Sequence, residues 1–260
     1  METPESDWKV VQMACYTCAP ADTQAGCGTN AFRCFSLCYP VWIFAMNKDT
    51  HNNIRTIPVP EPLQGLIRLA LDSGADEACL VPAHNLVIQD DLVQFCGPNK
   101  PCPSYGLSPG CPPHAMSPAA FRLLISRCNW VLLFKLNAAM EILLGPQRQN
   151  IARQVHHICA VVENTASKTL GLSAHGFAAG SCKELFCSNA STCTVLTHGL
   201  PCPHMQIARP SLSAVGVDFQ ALAALAGWPY ALNGVFDPES GQMQGLMAGF
   251  VLMENSTSGS

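Results

Sequence analysis

The stretch WVLLFKL, residues 130–136, is a nearly continuous apolar run and predicts a buried β-strand. A helix precedes it, because Ser117 and Pro118 supply a hydroxyl cap and a proline for a first helical turn. A long amphipathic helix follows it, since apolar residues recur at helical spacing from Ile151 to Leu170. The strand therefore has helical neighbours on both sides in the chain.

Further elements extend this pattern in both directions. Apolar residues from Leu63 to Ala70 predict a helix that Gly74 ends, and EACLVP (77–82) and NLVIQDDLVQF (85–95) have short-strand character. Asp218 caps a last helix, and GLMAGFVLM (245–253) forms the last strand. This irregular alternation predicts an α+β (or α/β) fold with one modest mixed sheet, flanked by helices and carrying two cysteine-rich loops.

The chain of 260 residues divides into three zones. We expect residues 1–57 to form an N-terminal extension without clear periodicity, residues 58–254 to form the domain that carries both cysteine-rich loops, and residues 255–260 to form a disordered polar tail. The extension contains Cys15, Cys18, Cys27, Cys34 and Cys38. These cysteines are either a further metal site or part of a poorly folded segment.

The amino-acid composition of the chain limits the classes of partner that we expect it to bind. Hydrophobic residues make up 48% and charged residues 12%, which indicates a globular protein. The net charge is −4 and the basic residues are scattered, so we expect neither nucleic acid nor an anionic membrane as a partner. The longest N-terminal apolar run, residues 39–46, is too short to span a bilayer.

The 15 cysteines are far more than usual, and their meaning depends on the compartment. The acidic start, residues 1–7, lacks the basic region of an export signal, so we expect a cytoplasmic protein. Clustered cysteines in the cytoplasm bind metal more often than they pair, although a disulfide framework stays an alternative. Because their number is odd, they cannot all pair internally.

Seven cysteines lie in two loops rich in proline and glycine. The first loop contains Cys96, Cys102 and Cys111, and the second contains Cys182, Cys187, Cys193 and Cys202. Four thiolates can hold either zinc or a 4Fe–4S cluster. Proline follows Cys102, Cys111 and Cys202, as it follows the last cysteine of the bacterial ferredoxin motif. This feature favours an iron–sulfur cluster, with zinc as the alternative.

The first loop supplies three cysteines, which leaves its fourth ligand undecided. The group either keeps an open coordination position or takes a ligand from His114, Cys79 or the N-terminal zone. Cys79, Cys128 and Cys159 lie in apolar strand or helix patterns, where a thiol behaves as a small core residue.

Two blocks of the chain resemble DUF2284, a family of predicted metal-binding proteins from anaerobic bacteria and archaea. They are FCGPNKPCPSYGLSPGCPPH (95–114), and AAGSCKELFCSNASTC (178–193) with LPCPHMQIARPSLSAVGVDF (200–219). The resemblance covers about residues 60–254 and implies that both cysteine groups are ligand groups. It also matches the segment with Arg209, Pro210, Ser211, Gly216 and Asp218. The chain departs from the family pattern in its wider cysteine spacing, in Ser181 before Cys182, and in Ser213, where the family usually has an acidic residue.

The sequence shows none of the common catalytic motifs, such as a nucleophile elbow, a P-loop or a dinucleotide-binding fingerprint. We expect His156 and His157 to face solvent, and Arg209 to bind a cluster sulfur, an anionic partner or Asp218. Two functions remain. One is a 4Fe–4S protein with an electron-transfer or redox-accessory role and a redox partner protein, and the other is a zinc-stabilised binding or scaffold module. A third possibility, metal trafficking through exposed thiolates, predicts weak and exchangeable binding.

Overall fold

The computed structural model describes residues 59–99 and 102–254 in full, together with the backbone of strands at 16–17, 42–45 and 55–58. The five cysteines of the N-terminal extension and the tail 255–260 lie outside the described residues. The predictions for them are therefore untested.

The strands and helices alternate irregularly, as predicted. The strands are β1 Tyr16–Thr17, β2 Trp42–Ala45, β3 Arg55–Pro58, β4 Glu77–Pro82, β5 Cys128–Ala139, β6 Ala174–Phe177, β7 Val235–Asp237 and β8 Gln242–Glu254. The helices are α1 Glu61–Asp72, α2 Pro118–Arg127, α3 Met140–Leu144, α4 Arg148–Thr169, α5 Cys182–Phe186, α6 Thr194–His198 and α7 Phe219–Leu225. Three 3₁₀ turns lie at Ala83–Asn85, Asp90–Cys96 and Leu212–Val215.

The main sheet has the strand order β1-β4-β5-β8-β6, and β7 also pairs with β8. A separate two-stranded sheet joins β2 and β3. The α+β class is confirmed, but the sheet differs from a mixed one, because the strands pair antiparallel throughout the described residues. The chain enters β5 at the end of the sheet where it left β4, so the two neighbours run in opposite directions.

Helices cover both faces of this sheet. Leu132 and Phe134 point to the face covered by α1 and α4, where Leu66 and Ile158 also lie. The alternate residues of β5 point to the face covered by α2, α7 and the 3₁₀ turn at 212–215. Since side chains alternate along a strand, the continuous apolar run of β5 fills both cores. The prediction of a buried central strand is confirmed.

The capping predictions are confirmed as well. The Ser117 hydroxyl accepts a hydrogen bond from Ala120 N–H at 3.2 Å at the start of α2. The Asp218 carboxylate accepts one from Ala221 N–H at 3.0 Å at the start of α7.

Among the described residues no helix combines the length and apolar character needed to cross a membrane.

The strand predicted at 85–95 is wrong. That segment contains the end of one 3₁₀ turn and most of another, and joins the rest of the protein through an isolated bridge between Ile88 and Val217. Both sides of β4 are occupied, by β1 and β5, so the segment has no sheet edge beside β4 to extend. It leaves the sheet instead and carries Cys96 towards the first cysteine loop.

Candidate metal centre

The second cysteine loop is built from two short helices. Cys182 is the first residue of α5 and Cys187 caps its end, while Cys193 caps the start of α6. Gly199 ends α6 in the left-handed conformation, with φ of 63°, and the chain then turns to Cys202. Helices this short lack a readable periodicity, so the sequence indicated only a loop.

These four cysteines line one pocket of about 80 Å³. Ser108 and Pro109 of the first loop, and Phe186 and His204 of the second, complete much of its wall. All four thiols are half-buried and none is in a disulfide. Because one water-sized sphere takes about 10–15 Å³, the pocket offers more room than a single ion needs.

Burial and neighbouring thiols raise the pKa of two cysteines of the pocket. Burial, and then the neighbouring Cys111, Cys202 and Cys193, raise the pKa of Cys182 to about 11, while the nearby Ser108 hydroxyl acts against this. Burial and the nearby Cys202 and Cys193 also raise the pKa of Cys187. A bound cation removes such repulsion and takes up the thiolates with release of protons. As placed, the described residues hold no group of three or more His, Cys, Asp or Glu side chains close enough for one ion.

The first cysteine group adjoins this pocket. Burial, followed by Cys102 and Cys111, raises the pKa of Cys96. Cys111 is only 6% exposed, and its Sγ donates to Ser181 Oγ at 3.4 Å, although the two residues are 70 positions apart. Cys111 of the first group therefore lies next to the second group.

The other candidate ligands have different surroundings. Cys79 and Cys128 are buried in the core beneath α2, and Cys159 is buried in the core beneath α4. The Cys159 thiol donates to Phe250 O at 3.4 Å, and its burial strongly raises its pKa. His114 is exposed, and its backbone N–H donates to Cys111 O at 3.0 Å. The described residues therefore do not show which group would be a fourth ligand of the first loop.

Contacts between elements fix the positions of the two loops. Arg148 pairs with Glu184 at 2.5 Å and Arg153 donates to Leu185 O at 3.0 Å, which attaches α5 to α4. Lys183 Nζ donates to Cys187 O at 2.7 Å and to Ala190 O at 2.6 Å. This ammonium group closes the loop between the second and third cysteines.

Backbone packing joins the first loop to the segment after the second. Ser211 N–H donates to Gly110 O at 3.2 Å. A Cβ atom on Gly110 would lie 3.0 Å from Pro210 Cα, so the absence of a side chain permits this approach. The two cysteine groups consequently belong to one structural unit.

Two sequence-based expectations are corrected here. Arg209 is 9% exposed and pairs through Nε with Glu163, not with Asp218, which caps α7 and accepts from Gln89 Nε2 at 2.6 Å. His156 is 0% exposed and does not face solvent, because its Nδ1 accepts from Arg209 N–H at 3.0 Å on the buried side of α4. His157 is exposed, as expected.

Sequence reasoning missed Ser108 as a residue of the pocket. It lies in the first loop but lines the pocket of the second, and no spacing rule connects the two. His204 follows a Cys-Pro step, a position that the sequence shares with His114 of the first loop. It lines the pocket and stacks on Phe186 with ring centroids 5.8 Å apart. Of the apolar residues near the cysteines, Leu107, Met116 and Leu200 are exposed.

Both cysteine groups lie within a part of the chain that matches a known protein family. The family model DUF2284, described as predicted metal-binding protein, matches residues 79–252. This range contains all seven cysteines of the two loops. No curated protein and no solved structure matches the chain.

Proposed function

Because the chain belongs to the DUF2284 family of predicted metal-binding proteins, we propose that the four cysteines of residues 182–202 hold a 4Fe–4S cluster that transfers electrons. One observation carries this proposal: all four line a single pocket. A ligand set of four cysteines from one short segment suits such a cluster.

The pocket supports a multi-atom centre over a single ion. Its volume of about 80 Å³ exceeds what one zinc ion needs within a closed tetrahedron of sulfurs. Pro203 follows Cys202 directly and has no N–H, so this ligand is held outside any helix. Phe186 supplies an apolar wall that limits the access of water.

The residues around the pocket have defined roles in this proposal. The thiols lose their protons when the cluster binds, and Lys183 keeps the connection between Cys187 and Ala190 closed. When bound, the cluster supplies one-electron transfer at a potential set by hydrogen bonds to sulfur, charge and exposure. The chain determines those three factors through Ser108, Cys111 and the pocket wall.

For the first group, we propose a second metal site formed by Cys96, Cys102 and Cys111 with one coordination position not filled by cysteine. Cys111 adjoins Ser181 and Cys182, so the two groups are near enough to exchange electrons. A redox partner protein would deliver or accept these electrons. We expect this chemistry in the cytoplasm, where the cysteines stay reduced.

Anaerobic purification tests the proposal. The protein should be brown, bleach with dithionite, and contain iron and acid-labile sulfide in equal amounts, with at least four of each per chain. A colourless protein, or one with zinc and no sulfide, would overturn it and favour the zinc-stabilised module.

A matched pair of variants identifies the ligands. Cys193→Ser should remove most of the visible absorption of the second-loop cluster, because it removes one sulfur from the pocket. Cys128→Ala alters a buried thiol outside the pocket and should retain the absorption of the parent protein. Equal iron content in Cys193→Ser and the parent would contradict the assignment.

A further inference from the structure

A second pocket, with a volume of about 650 Å³, lies beside the first cysteine group. Three segments form its wall: residues 92–96, residues 213–220 and residues 230–232. The volume is within the range of about 300–1,000 Å³ that is usual for small-molecule sites. Cys96 belongs to the wall, so a bound molecule would lie next to that thiol.

Aromatic rings form a large part of this wall. The Phe219 and Tyr230 rings meet edge to face, with centroids 4.9 Å apart. Phe95 is 53% exposed and also lines the pocket. Ring faces carry negative electrostatic potential and attract cations that have lost part of their hydration.

Asp218 is the charged side chain of this wall. One carboxylate oxygen accepts from Ala221 N–H at 3.0 Å and the other from Gln89 Nε2 at 2.6 Å. Both donors are uncharged amides, so they orient the carboxylate without neutralising it. Burial, and then the nearby Asp218, raise the pKa of Tyr230. No Lys, Arg or His contributes to the wall within the described residues.

We propose that this pocket binds a small alkylammonium ion. The carboxylate and the aromatic faces attract its positive charge, and Leu92, Val217 and Leu232 contact its alkyl groups. An anion of the same size is repelled by Asp218, and a neutral molecule gains only the apolar contacts. The inference stands on Asp218 and the aromatic rings of this wall, and Cys96 is the residue that the wall shares with the proposed first metal site.

Choline and its uncharged carbon isostere, dimethylbutanol, are the probes for the test. Both are titrated into the full chain at constant ionic strength and followed by isothermal calorimetry and by ligand-detected saturation-transfer NMR. Choline should bind about tenfold more tightly, a difference of about 1.4 kcal/mol, since its isostere lacks the charge that the carboxylate and the rings attract. Equal affinity for the two probes, or no binding of choline, would overturn the proposal.

Variants locate the site. Asp218→Asn keeps a side-chain oxygen that can cap α7 but removes the charge, and it should lose most of the preference for choline. Asp237→Asn removes a carboxylate that lies outside the pocket wall and should keep that preference. Tyr230→Leu gives a second test if Asp218→Asn folds poorly. Unchanged choline affinity in a folded form of either pocket variant would assign the binding to another surface and refute this site.

Discussion

At the residue scale, Ser108 contributes a hydroxyl to a pocket otherwise dominated by sulfur and apolar groups. It is 1% exposed, and its Oγ has no partner of normal hydrogen-bond geometry within the described residues. The hydroxyl nevertheless lies close enough to favour the Cys182 thiolate. In the proposed function, a metal-bound sulfur of Cys182 would be the acceptor that this buried hydroxyl lacks.

The variant Ser108→Ala tests this role. Loss of a hydrogen bond to a charged sulfur, about 1.5–3 kcal/mol, should lower the reduction potential of the bound centre while leaving its iron content intact. A redox titration followed by visible absorption measures the shift. Ser104→Ala changes another buried serine of the same loop, and it should leave the potential unchanged. Identical potentials in the parent and Ser108→Ala would disprove the hydrogen bond.

His156 gives a pH prediction at the same scale. Burial lowers its pKa from 6.5 to about 4 in the folded protein. Below pH 6.5 the unfolded chain takes up this proton first, so the contribution of His156 to stability is complete above pH 6.5 and is lost as the pH falls towards 4. The loss amounts to at most about 3 kcal/mol.

Denaturant unfolding at several pH values measures this slope. His156→Asn keeps an acceptor for Arg209 N–H but cannot take up a proton, so its stability should fall less between pH 6.5 and 4. His157→Asn, at the exposed neighbouring position, should retain the slope of the parent. Parallel curves for the parent and His156→Asn would show that another group is responsible.

At the scale of the element, Lys183 shows how one turn of helix shapes the second loop. Lys183→Met keeps the length of the side chain but removes the hydrogen bonds to the carbonyls of Cys187 and Ala190. The segment between Cys187 and Cys193 should open more often, so a chelator should remove the metal several-fold faster. Hydrogen exchange of this segment should rise in parallel.

Lys168→Met is the control for this change, because Lys168 is exposed near the end of α4. It should leave both rates at the level of the parent. Slow metal loss in Lys183→Met would mean that the contacts of α5 with Arg148 and Arg153 suffice to hold the loop.

Gly110 controls the packing of one loop on the other. In Gly110→Ala the new methyl group would meet backbone at Pro210 Cα, 3.0 Å away, so the first loop must move. We expect about 1–3 kcal/mol of destabilisation and faster alkylation of Cys111. Gly65→Ala places a methyl group in open space on α1 and should be neutral or slightly stabilising. Comparable unfolding midpoints for the two variants would contradict this tight contact.

At the scale of the whole molecule, the cores and the proposed metal centre are separate. The two hydrophobic clusters on the sheet contain Cys79, Cys128 and Cys159 but none of the seven cysteines of the loops. The sheet therefore has its own source of stability, unlike small domains that unfold when zinc is removed. The metal should organise the loops without being required for the fold.

Metal removal tests this separation. After chelation, far-UV circular dichroism should keep its sheet and helix signal, whereas hydrogen exchange should rise in the two cysteine loops. Phe134→Ala should act in the opposite way, lowering the free energy of unfolding by about 3–5 kcal/mol through a core cavity. Global unfolding of the metal-free protein would show that the centre is part of the folding core.

The sequence by itself determined local elements: the central strand at 130–136 and the helix starts at Ser117 and Asp218. Apolar periodicity and capping residues act within one or two helical turns, so they are readable without the rest of the chain.

Only the tertiary structure decided the contacts between distant segments. It placed Ser108 in the pocket of the second loop, paired Arg209 with Glu163, buried His156 and turned residues 85–95 away from the sheet. These outcomes depend on how loops and helices dock around the sheet. A side chain's polarity predicts that it needs a partner when buried, but the docking of the layers selects which partner it meets.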